Sequence, residues 1–156
     1  MKKKLLLAGI LAFLINSIDL TADNYCNRLS EIRVLPFKGE KVNNEVFNGL
    51  IEKGQQSVPC LIEKLTDTTL TKDPRKAPSY RYTTIGDVAF FVLLDITGLS
   101  LESFLPEDVR EAYQKEGIYA YFKFVEEPRN RGVIQNNWRT WLLKEKGKRS
   151  NETIKK

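Results

Sequence analysis

The chain has 156 residues, 42% of them hydrophobic and 29% charged, with a formal net charge of +5 and no histidine. That length and balance give one domain with a core of its own and exclude an intrinsically disordered chain. The lack of histidine excludes Ser-His-Asp and Cys-His catalytic sets and histidine-based metal sites, and no Gly-x-x-x-x-Gly-Lys-Ser/Thr loop or Gly-x-Gly-x-x-Gly turn is present to cradle a phosphate.

Lys2, Lys3 and Lys4 precede an apolar run from Leu5 to Ile15, followed by a polar stretch and small residues. This is the pattern of a secretory signal peptide, and the run is short of the roughly 20 residues that a spanning helix requires. Cleavage is expected after Ala22, with Ser17 the second position. Residues 1–22 are then a leader, residues 23–146 a single all-α domain and residues 147–156 a flexible basic tail. Cys26 follows Asp23, Asn24 and Tyr25, which is not a lipoprotein context, so no stable membrane anchor is expected after cleavage and the address is periplasmic or secreted.

Loss of the leader removes three lysines and Asp19, which lowers the net charge from +5 to +3. The end of the chain from Lys144 carries +4, leaving residues 23–143 at −1. A nearly neutral body with its positive charge at one end is not a nucleic-acid-binding face. Cys26 and Cys60 are the only cysteines, and in an oxidising compartment they imply a disulfide. Two thiols without histidine do not make a metal site, so no metal or other cofactor is expected.

In chain order, a first helix is predicted from Asp23, with Asp23 or Asn24 as its cap and Tyr25, Leu29 and Ile32 on one face, ending before Pro36. Phe37-Lys38-Gly39-Glu40 reads as a turn. Asn43 or Asn44 caps a second helix with Val46, Phe47, Leu50 and Ile51 as its stripe, ending at Gly54. Ser57 is the expected cap of a third, with Pro59 in its first turn and Val58, Leu61, Ile62 and Leu65 buried. A three-residue link should lay these two helices against each other.

Thr84 and Asp87 form a capping box that opens the most apolar segment, Val88 to Ile96, and Gly98 closes it. That helix has no polar face and needs neighbours on most of its circumference. Ser100 is placed to cap a turn ending at Leu105, and Pro106-Glu107-Asp108 starts a helix that runs to Gly117. Ile118 to Val125 is read as a helix that Pro128 ends, and Asn130 caps a last one carrying Val133, Ile134, Trp138, Trp141 and Leu142 to about Glu145.

The pair Asn44–Gly54 and Ser57–Asp67, with Val-Pro-x-Leu-Ile-x-x-Leu opening its second member, resembles a HEAT-type helical hairpin. The Gly-Asp-Val-Ala-Phe-Phe run, with Tyr82 and Thr84 before it, is similar to a segment of small bacterial helical proteins of HEAT-like build. These resemblances imply an all-α, compact HEAT-like bundle of about six helices, and carry over no catalytic residues.

Among the acids, Asp95 interrupts an apolar face and is expected to be a buried structural carboxylate paired with Arg81, Arg129, Arg131 or Arg139, while Asp87 serves as a helix cap. As a glycosidase pair, Asp87 and Asp95 would stand about 12 Å apart along one helix axis, too far for that chemistry. Trp138 and Trp141, with Tyr119, Tyr121, Phe122 and Phe124, are read as core, with stacking on glycan as the alternative. The longest irregular stretch, from Asp67 to Thr83, concentrates cations and tyrosines, and Arg75, Lys76, Tyr80, Arg81 and Tyr82 are the nominated partner-binding residues. Their charge implies a protein partner with an acidic face. In type (short, helical, exported, disulfide-bearing) the chain resembles the small exported immunity proteins that neutralise cell-wall-degrading toxins. That resemblance implies a non-enzymatic binding or inhibitory role; the alternative is an enzyme or binder directed at peptidoglycan.

Overall fold

A computed structural model describes residues 21–33, 44–71, 76–77 and 81–154. The leader expected over residues 1–22 therefore lies almost wholly outside the described residues, as does the predicted turn at residues 37–40. Among the described residues the architecture is all-α: α1 Ala22–Asn27, α2 Glu45–Lys53, α3 Val58–Lys64, α4 Ile85–Thr97, α5 Glu107–Glu116, α6 Ile118–Val125 and α7 Pro128–Ile154. Short 3-10 turns follow α1 (Leu29–Glu31), α2 (Gly54–Gln56) and α4 (Leu101–Phe104).

The first predicted helix is broken in two. Thr21 rather than Asp23 or Asn24 caps α1, which ends within six residues before the 3-10 turn takes over. Arg28 stitches this segment to α2, donating to Glu31 at 2.9 Å and to Glu45 at 3.0 Å. Asn44 caps α2 by accepting from the Phe47 amide at 3.0 Å. Ser57 does not cap α3. Its backbone is already helical, and its buried hydroxyl donates instead to the Leu50 carbonyl at 3.1 Å, tying the start of α3 to the end of α2. The two helices touch each other little, and both pack on α4. Each is short, and a single apolar helix provides the larger complementary surface.

α4 is the axis of the core. Its capping box forms as predicted, and Gly98 takes the left-handed φ of +67° that ends it. Val88, Ala89, Phe90, Val92 and Leu93 are fully buried. Phe90 stacks on Tyr121 of α6 at a centroid distance of 4.6 Å and meets Trp138 of α7 edge-on at 6.4 Å. Trp138 in turn lies flat against Phe104 at 3.6 Å. The helix is nonetheless open on one strip: Phe91 and Leu94 are partly exposed and Asp95 is exposed.

α7 begins earlier and ends later than predicted. Pro128 opens it as a first-turn residue, and Asn130 closes α6 by donating to the Phe124 carbonyl at 2.9 Å instead of capping α7. The helix then runs for 27 residues to Ile154, through Gly147, where an irregular tail was expected. One glycine costs a helix only about 1 kcal/mol, and the Lys- and Glu-rich residues around it are good helix formers. No helix of the described residues is long and apolar enough to cross a membrane.

Cys26 of α1 and Cys60 of α3 are joined in a disulfide with their Cα atoms 6.2 Å apart, as expected. A bridge across 34 positions stabilises by roughly 3 to 4 kcal/mol on the chain-entropy account. Thiol labelling of the unfolded, unreduced protein should therefore find no reactive cysteine, and the double change Cys26→Ser with Cys60→Ser should lower the unfolding free energy by about that amount; two labelled thiols per chain would contradict the bridge.

Candidate functional site

The stretch from Asp67 to Thr83, predicted to be irregular, contains a small antiparallel ladder of β1 Lys76–Ala77 and β2 Arg81–Tyr82, with Lys76 opposite Tyr82 and Ala77 opposite Arg81. Below it, Leu70 bridges to Thr84, the Thr71 amide donates to the Thr83 carbonyl at 2.9 Å, and the Thr71 hydroxyl donates to the same oxygen at 3.0 Å. The register changes by four residues between these ladders, because Tyr82 and Thr83 are consecutive while Thr71 and Lys76 are not. Of the nominated binding residues, Arg75 and Tyr80 lie outside the described residues. Lys76, Arg81 and Tyr82 are brought together by the ladder.

The root of this hairpin is fixed to the first turn of α4. The Ile85 amide donates to the Thr69 carbonyl and the Gly86 amide to the Asp67 carbonyl, both at 2.9 Å. Gly86 permits this approach. A Cβ there would stand 2.5 Å from the Leu65 carbonyl oxygen and 3.0 Å from that of Asp67. The Asp87 amide bonds to the Thr84 hydroxyl at 3.2 Å, so the amides of the first turn are satisfied within the protein.

Asp87, not Asp95, is the buried carboxylate, with 2% of its surface exposed. One of its oxygens accepts from Arg131 Nη1 at 2.9 Å and from the Tyr121 hydroxyl at 3.1 Å. The other accepts from the Thr84 amide at 2.9 Å and the Thr84 hydroxyl at 2.8 Å. Arg131 was among the arginines considered for Asp95; of the others, Arg139 pairs with Glu63 at 2.7 Å and Arg129 lies 3.7 Å from Glu127. The reason is helical position. Asp95 falls one turn beyond Phe91 on the open strip of α4, whereas Asp87 lies at the end that Arg131 and the hairpin root cover. Burial works against the Arg131 charge, but Asp87 more than offsets this, and the guanidinium is held protonated more firmly than in water. Burial first, and then the Asp87 charge, push the Tyr121 phenol well above its ordinary value.

A cleft of about 570 Å³ lies around the disulfide between α1, α3 and α7, with Asp23, Glu63, Lys64 and Arg139 among its lining residues and no aromatic side chain. The aromatic residues considered for glycan stacking are placed otherwise. Trp138 and Tyr121 are buried, Trp141, Phe122 and Phe124 are partly buried against the core, and Tyr119 is exposed. Among the described residues no group of three or more Cys, Asp or Glu side chains is placed to hold a metal ion. Leu70, 58% exposed at the foot of the hairpin, is an apolar surface residue that sequence reading passed over. A single leucine among threonines carries no periodic signal.

Asp87→Ala leaves Arg131 buried without its counter-charge and also removes the reciprocal cap, so it should cost about 3 to 5 kcal/mol in urea unfolding. Asp95→Ala, at an exposed position, should change stability by less than about 1 kcal/mol. For Tyr121 the direction with pH follows from the raised folded value. The unfolded phenol ionises near 10.0 while the folded one keeps its proton, so its contribution is whole below that pH and is lost as pH rises above it. Tyr121→Phe should therefore weaken the protein by about 1 kcal/mol at neutral pH and make its unfolding free energy fall less steeply above about pH 10. Comparison with family models, with curated proteins and with solved structures gives no match, and the function of this site rests on its own chemistry.

Proposed function

We propose that this chain is an exported, non-enzymatic protein of HEAT-like build that binds and inhibits another protein, in the manner of an immunity protein, through the hairpin rooted at Thr71 and Thr83. The observation that carries this reading is the short ladder itself, rooted where the amides of Thr71, Thr84, Ile85 and Gly86 are hydrogen-bonded within the protein. A binding loop held on a rigid scaffold loses little entropy on association. Residues 72–82 include Lys72, Arg75, Lys76 and Arg81 against Asp73 alone, so the complementary face on the partner is acidic. Leu70, exposed at the foot of the ladder, offers apolar contact area.

Asp87, the buried carboxylate among the described residues, is engaged by Arg131, Tyr121 and Thr84, which supports a structural rather than a catalytic role for it. The disulfide fits the oxidising compartment that the leader implies. A peptidoglycan-directed role is less well supported, because the larger aromatic rings pack in the core and the cleft at the disulfide has none.

Capture from periplasmic extract by the protein carrying an affinity tag identifies the partner. Arg75→Glu combined with Lys76→Glu should then weaken the complex at least about tenfold, near 1.4 kcal/mol, with the melting temperature nearly unchanged. Binding by the unaltered protein should also weaken as salt is added. Undiminished affinity in the double variant would remove the hairpin as the binding surface.

A further inference from the structure

The last part of α7 leaves the body of the protein. Ile134, Trp138 and, in part, Trp141 and Leu142 pack against the core, but of the next residues Leu143, Lys144, Lys146, Gly147, Lys148 and Ser150 are exposed. Two polar contacts of this arm stay within it. Lys148 reaches Glu145 at 2.6 Å, and Ser150 donates to the Lys146 carbonyl at 3.1 Å. A helix of this length without tertiary support is marginal in water, so its ordered form gains from any surface that complements it.

Leu143 is 71% exposed, the most exposed of the large apolar side chains among the described residues. At 100° per residue, Lys144 and Lys146 flank it on either side, while Glu145 and its partner Lys148 lie toward the opposite face. From Lys144 to the end the chain carries six cations and two acids.

We propose that this arm adsorbs reversibly to an anionic phospholipid surface, with Lys144 and Lys146 at the headgroups and Leu143 entering the interface between them. A fluid anionic surface accommodates two lysines flanking one leucine without the fixed acceptors that a shaped protein pocket would have to provide. An apolar side chain between lysines gains from an acyl boundary and gains nothing from a polyanion in water. The proposal is independent of the hairpin and of the compartment, since it requires only an acidic bilayer.

The test is co-sedimentation of the protein, in the form isolated from cells, with vesicles of phosphatidylcholine alone or with phosphatidylglycerol added. Binding is expected only to the acidic vesicles, and to fall as salt is raised. Lys144→Gln with Lys146→Gln should reduce it by on the order of fivefold for each cation, and Leu143→Ser alone several-fold, without loss of melting temperature. Equal binding to both vesicle types would overturn the proposal. So would an unaffected Leu143→Ser variant, or equally tight binding to duplex DNA, since either would reduce the arm to general electrostatic adhesion.

Discussion

The ion pair between Asp87 and Arg131 is the interaction that the rest of the structure is arranged around. Both side chains are almost wholly removed from water, a position costly for any charge that is not matched. It is tolerated because each Asp87 oxygen accepts two hydrogen bonds, from four donors belonging to three separate parts of the chain. Thr84 is local, Tyr121 lies 34 residues away and Arg131 lies 44 residues away, so the carboxylate fixes α6 and α7 on the end of α4. Hydrophobic burial alone would hold these helices together but would specify their relative placement less narrowly.

The same carboxylate joins the core to the surface. Thr84 is at once the cap of α4, a ligand of Asp87 and the residue bridged to Leu70. The strand Arg81–Tyr82 therefore leads into a residue held by both the core and the opposite strand. Gly86 lets the backbone at Leu65 and Asp67 pass close enough to engage the remaining amides of the turn. The ladder of Lys76–Ala77 with Arg81–Tyr82 is thereby tied through Thr83 and Thr84 to the first turn of α4.

Two further attachments work at the other end of the fold. The disulfide holds the short α1 on α3, and the Arg28 contacts with Glu31 and Glu45 hold the chain beyond it on α2. On α7, Gln135 donates to the Ile62 carbonyl at 2.9 Å and Asn137 to the Phe104 carbonyl at 2.9 Å, so polar side chains facing inward fasten the long helix to α3 and to the turn after α4. Trp138, next to Asn137, is fully buried flat against Phe104, and its indole Nε1 finds no acceptor among the described residues. The stacking and the area it buries outweigh that donor's lost hydrogen bond.

By itself the sequence determined what depends on neighbours along the chain: the all-α class, the capping box at Thr84 and Asp87, the stop at Gly98 and the helical reading of Ile118 to Val125. Each rests on a dihedral preference or a period of 3.6 residues, both of which are local, while the disulfide across 34 positions was legible only because the chain has two cysteines. Tertiary structure alone decided which acid is buried, because Asp87 and Asp95 sit on the same apolar helix and differ only in what covers them. It also decided that Ser57 turns its hydroxyl to Leu50, that Asn130 closes α6, and that residues 76–77 and 81–82 pair, since two-residue strands carry no alternation to read. The continuation of α7 through Gly147 to Ile154 was legible in propensity but obscured by the glycine, whose small cost the surrounding helix formers absorb.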